Sequence, residues 1–80
     1  MPIKYRGKSA VLSDLVTVEE TEALLEWLQK WPAARIDLAA CSHLHPANLQ
    51  VLMVAKPVVI AWPVDAEFAR WLKSALAARG

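Results

Sequence analysis

The chain has 80 residues, 56% of them hydrophobic, with nine Lys and Arg against eight Asp and Glu for a formal charge of +1. That length holds one domain, residues 1–80, and a domain this small buries only about 60% of the surface its unfolded chain exposes. The balanced charge, with no basic cluster interleaved with aromatics, argues against nucleic-acid binding, and the apolar runs fall far short of the roughly 20 residues that cross a bilayer.

The first residues, MPIKYRGKSAVLS, interleave polar and apolar positions and lack the continuous apolar stretch of a signal peptide. The single cysteine, Cys41, has no internal partner for a disulfide, which fits a reducing cytoplasm. Within this start, Ile3 to Leu12 forms two short β-compatible runs around Gly7. Glycine readily supplies the positive φ of a tight turn, so a hairpin is expected.

In TVEETEALLEWLQKW, Thr17 stands three residues before Glu20, the spacing of a capping box in which each side chain serves the other's end amide. A helix over Val18 to Lys30 follows, with Val18, Leu25 and Leu28 on its apolar stripe and Leu24 at the edge. Glu19, Glu22 and Glu26 point away, Trp27 lies outside the stripe, and Pro32 stops the helix. ARIDLAA, Ala34 to Ala40, is too short for a helix and predicts a strand inside a sheet, with Asp37 its one acid.

Val58 to Trp62, VVIAW, has the strongest β-propensity in the chain, is bounded by Pro57 and Pro63, and is expected to be buried on both faces. The last helix takes Asp65 as N-cap and aligns Phe68, Trp71, Leu72, Ala75, Leu76 and Ala78, with Arg70 and Lys73 opposite. So small a core cannot enclose all four tryptophans, so one or two should reach the surface. The order β-β-α-β-α-β-α is that of an α/β domain: a small mixed sheet of about four strands covered by three helices.

Between the strand runs Ala34 to Ala40 and Val58 to Trp62 stands CSHLHPANLQVLM. Cys41, His43 and His45 alternate, so an extended backbone would place all three on one face. They are good zinc ligands, but a structural site needs four and the chain has no further Cys or His. As a Cys-His catalytic pair, Cys41 and His43 would stand about 7 Å apart along a strand, too far for a hydrogen bond without a bend. The expectation is therefore no metal, no cofactor and no enzymatic activity, with Cys41 packed as a small hydrophobe.

Pro46 suits the first turn of a helix, where its missing amide costs nothing. Beyond it, Leu49, Leu52 and Met53 form one apolar stripe, and Ala47, Val51 and Val54 form a second on the opposite side. Either both stripes are buried or the second is an exposed binding face. Trp27 is a further surface candidate, unless it lies flat on a neighbour.

LSDLVTVEETEALLEWL and RIDLAACSHLHPANLQVLM together resemble the STAS domain of anti-sigma factor antagonists, over nearly the whole chain. Asp37 and Leu38 stand where that family has its Asp-Leu pair, and Leu49 and Leu52 fall on its helix leucines. The family's DSSGL falls on His45, Pro46, Ala47, Asn48 and Leu49, so Ala47 occupies the position of the serine that regulated members phosphorylate. The resemblance implies a non-catalytic signalling module without phosphorylation at that site, any such control having moved to Ser42 or Thr17. It also implies that the start and exposed side of the second helix meet a regulatory protein, a kinase-like anti-sigma factor or another signalling protein. The candidate contact residues are His45, Pro46, Ala47, Asn48, Val51 and Val54. A homodimer is a further option, and an accessory subunit of a lipid-transport ATPase is the alternative within the family.

Overall fold

The computed structural model describes residues 2–77. Ala78, the last residue of the expected stripe on the final helix, lies outside them. The main sheet has four strands in the order β1 (Ile3–Arg6), β2 (Ser9–Leu12), β4 (Arg35–Asp37), β6 (Val58–Ala61). β1 and β2 form the expected antiparallel hairpin, with Gly7 at φ +58° in its turn. β2 pairs with β4 and β4 with β6 in parallel, so the sheet is mixed and Ala34–Ala40 supplies an interior strand. Three helices, α1 (Thr21–Lys30), α2 (Pro46–Ala55) and α3 (Ala66–Ala77), complete the α/β fold.

Alternation along the strands assigns the two faces. Ile3, Ala10, Leu12 and Ile36 are buried and join Leu24, Leu28, Leu49, Leu52 and Leu72 of the helices in one core. The opposite face of the sheet carries exposed Lys4, Arg6 and Arg35 beside Val58 and Ile60, 55% and 56% exposed. β6 was expected to be buried on both faces. It is instead the edge strand, and the helical layer covers only the face that carries Val59, so Val58 and Ile60 project from the open one.

A second, two-stranded sheet pairs β3 (Asp14–Val16) in parallel with β5 (Cys41–Leu44). Only Ser13 separates β2 from β3, and residues 38–40 separate β4 from β5, so a pair of parallel neighbours bends and then pairs again. At the first bend Asp14 adopts φ +55°, a left-handed conformation that Asp tolerates better than most residues, and its amide donates to the Ala40 carbonyl at 2.8 Å. At the second bend the Asp37 carboxylate accepts from the Ala39 amide at 2.9 Å, and the Cys41 amide closes a turn onto the Leu38 carbonyl at 3.0 Å. Asp37 is thus a turn-forming residue.

The start of the first helix differs from the capping-box expectation. Val18–Glu20 forms one turn of 3-10 helix, closed by the Glu20 amide on the Thr17 carbonyl, and the Thr17 side chain makes no capping bond. This tighter turn changes the phase, so the buried stripe of α1 is Leu24 and Leu28, while Val18 and Leu25 face out. Trp27 lies against Tyr5, ring centroids 5.2 Å apart, and its indole donates to the Gly7 carbonyl at 2.8 Å. Its polar edge therefore fastens the hairpin turn to α1.

On α3 the Asp65 carboxylate caps the Phe68 amide at 3.0 Å as expected. The fully buried position is Leu72, with Ala69 beside it, whereas Trp71 stacks on Phe68 and is half exposed. Lys73, expected to point away, extends over the Trp62 ring at 5.4 Å.

A Cβ added at Gly7 would meet no atom within 4 Å, so its replacement tests backbone preference alone. Gly7→Ala should lower stability by about 1–2 kcal/mol, the cost of placing an L-residue in the left-handed region. Gly7→Asn should cost less, and the two melting temperatures should rank in that order.

Candidate functional site

The residues around α2 are arranged by the cap that starts it. His45 is the N-cap, extended at φ −60° and ψ 142°, and its Nδ1 accepts from the Ala47 amide at 3.0 Å. Its carbonyl accepts from the amides of Asn48 and Leu49 at 2.9 and 3.1 Å, and its own amide donates to the Val16 carbonyl at 2.9 Å. Pro46 occupies the first turn, as its missing amide favours. The helix ends at Lys56, in the left-handed conformation at φ +52° that commonly closes a helix.

Asn48 is fully buried. Its Nδ2 donates to the carbonyls of Val16 and Thr17, at 3.3 and 2.7 Å, and its Oδ1 accepts from the Thr21 hydroxyl at 2.8 Å. One side chain therefore ties together the end of β3, the first residue of α1 and the first turn of α2. Asn48 was expected at the partner interface. With no exposed surface and each amide atom engaged, it holds α2 in place instead.

The two stripes of α2 resolve into an arc. Taking about 100° per residue, Asn48, Leu49 and Leu52 are buried, Ala47, Val51, Met53 and Ala55 are half-buried on the flanks, and Pro46, Gln50 and Val54 are exposed. Val54 is 73% exposed, whereas Val51 packs against the core. The sequence pattern grouped Val51 with Val54 and missed Gln50, which the i, i+4, i+8 spacing of Pro46, Gln50 and Val54 would have brought out. The free face thus joins Pro46, Gln50 and Val54, with Ala47 and Val51 along one margin and His45 at its start.

Cys41, His43 and His45 do not share a face. The pairing of β3 with β5 matches Asp14 to Cys41 but Leu15 to His43, so Ser42 is an extra residue in the strand. This bulge breaks the two-residue period: Cys41 and Leu44 are buried while Ser42 and His43 are exposed. The Cys41 thiol donates to the backbone carbonyl of His43 at 3.4 Å and has no imidazole partner. Among the described residues no group of three His, Cys, Asp or Glu side chains is placed to hold a metal ion.

Burial is the main cause that pushes the Cys41 thiol above its ordinary range, and the negative charge of Asp14 acts in the same direction. No family model matches this chain, and no curated protein is significantly similar to it. The sheet and helix order is compatible with the STAS domain without being specific to it.

Three outcomes follow for this region. Asn48→Ala takes one of two donors from each of the Val16 and Thr17 carbonyls, which keep the His45 and Glu20 amides, and leaves the Thr21 hydroxyl without its acceptor. It should cost about 1–3 kcal/mol, read as a drop in the denaturant midpoint. The folded protein should react with a thiol reagent more slowly than the urea-unfolded chain at the same pH, since the thiolate is the nucleophile. Because the folded thiol is raised, the stability it contributes is complete below the unfolded thiol's pKa and is lost as pH rises through the folded one. Cys41→Ser should flatten that alkaline part of the stability profile.

Proposed function

We propose that this chain is a non-catalytic protein-interaction module of STAS type whose second helix binds a regulatory protein, a kinase-like anti-sigma factor by preference. The observation that carries this reading is the outer arc of α2. Pro46, Gln50 and Val54 stand exposed on a helix whose other sides are packed, so the arc is presented by a fixed scaffold. A preformed face loses little conformational entropy on docking. Ala47, half-buried beside this arc, has no hydroxyl to accept phosphate, so association is constitutive at this position, in contrast to the phosphorylation-switched pattern that the STAS resemblance brings with it.

Val54→Asp tests the arc. Full burial of a valine contributes about 1.5–3 kcal/mol, so its replacement by a charge should weaken binding to the anti-sigma partner by about tenfold or more. Stability should move by less than about 0.5 kcal/mol, as for other exposed positions. Val51→Asp should lower both binding and stability, since Val51 also packs on the core, and Leu49→Asp should unfold the protein. Undiminished binding by Val54→Asp would place the interface elsewhere.

A further inference from the structure

At the C-terminal end of α2, on a different side of the helix from the proposed protein-binding arc, the structure forms an open cavity of about 520 Å³ between α2, β6 and α3. Its volume falls in the range of small-molecule sites, about 300–1,000 Å³. Its walls are apolar: Met53 from α2, Val59 from β6, Trp62 just beyond β6, and Leu76 from α3. Each of these four is half-buried, packed on the core along one side and open along the other. Among the described residues no strand or helix lies beyond β6, so the space where α2 and α3 meet the sheet edge stays open.

Among the described residues, its charged side chains all have one sign. Lys56, held in the left-handed conformation that ends α2, and Lys73, on α3 above the Trp62 ring, both line it, and no acidic side chain does so among the described residues. These are two of the nine basic residues of a chain whose formal charge is only +1, so a lysine pair beside an apolar wall, with no acidic side chain lining it among the described residues, is a local asymmetry. An apolar wall with a few convergent polar groups is the usual build of a ligand site, in which the wall takes the body of the ligand and the polar groups fix its head. Ammonium groups at an apolar mouth select an anionic head over a neutral or cationic one.

We infer that this cavity binds a small amphiphile with an apolar body and a carboxylate head, the body against Met53, Val59, Trp62 and Leu76 and the carboxylate between Lys56 and Lys73. A straight acyl chain and a flat aryl carboxylate share this chemistry. The site is separate from the α2 arc, so it stands or falls independently of the protein-binding reading.

The test is a titration of the full chain with dodecanoate below its micelle concentration, read by Trp fluorescence and by backbone amide shifts, with indole-3-acetate as the aryl arm. Dodecanol and dodecyltrimethylammonium serve as charge controls. Saturable binding of at least one carboxylate, with shifts centred on Met53, Lys56, Val59 and Leu76, is expected, and the arm that binds more tightly identifies the body. Trp62→Phe should remove most of the fluorescence response and keep the amide shifts. Lys56→Ala with Lys73→Ala, both at exposed positions, should weaken carboxylate binding about tenfold or more and leave the weaker dodecanol binding unchanged. The inference is overturned if neither carboxylate binds at millimolar concentration, if dodecyltrimethylammonium binds as tightly as dodecanoate, if the double lysine variant binds carboxylate unchanged, or if the shifts map away from this cavity.

Discussion

The fold is organised around one buried amide. The end of β3 and the start of α1, neighbours in sequence, and the start of α2, far from both, must each terminate backbone hydrogen bonding in the same small volume. Polar groups left there without partners would each cost on the order of 1–3 kcal/mol. Asn48 meets this demand with two donors and one acceptor on a planar group, and no buried side-chain nitrogen or oxygen is left without a partner among the described residues. An aspartate there would lose both donors, and a leucine of similar size would offer no polar atom at all.

The same region explains why α2 begins where it does. The Val16 carbonyl receives the His45 amide and part of the Asn48 amide, so the end of β3 and the cap of α2 are one hydrogen-bonded unit. The bends after β2 and β4 turn both strands toward that unit, and the bulge at Ser42 lets β5 stay paired with β3 while turning Leu44 inward. Cys41 and His43 diverge as a result. A stretch that looks like a ligand set in sequence becomes the frame that aims a helix.

How much of this was legible depended on whether local pattern or a long-range partner decided the outcome. Gly7, Pro46 and Asp65 act through neighbours within a few residues, and the hairpin, the start of α2 and the cap of α3 stand where those residues predict. The order of strands and helices also follows, because the apolar periods of α1 and α3 and the β-rich runs are strong. Val18 was misplaced because one 3-10 turn changed the phase before α1 began. The second sheet went unseen because Asp14–Val16 is too short to show a period, and it exists only through pairing with Cys41–Leu44. Asn48 read as a surface residue because asparagine usually is one. Its three partners lie at Val16, Thr17 and Thr21, 27 to 32 residues earlier in the chain, a distance at which no spacing rule applies.

The ambiguity of α2 in the sequence has a structural cause. A helix lying on a sheet at the periphery of a domain needs one apolar stripe, but α2 lies between α1 and α3 as well as on the sheet. Burial on three sides calls for apolar residues around most of its circumference, which leaves only the arc of Pro46, Gln50 and Val54 free to be polar. Gln50 is polar there and Val54 is not. An exposed valine in the last turn contributes nothing to the core, and the adjacent exposed position, Lys56, belongs to the cavity mouth. The two proposed surfaces therefore share one helix, the arc along its outer side and the cavity at its C-terminal end. A ligand that shifts the end of α2 would be felt along the arc only through the rigid body of the helix, whose start is pinned by Asn48. Displacement would then take the form of a pivot about that residue, largest at Val54 and smallest at Pro46.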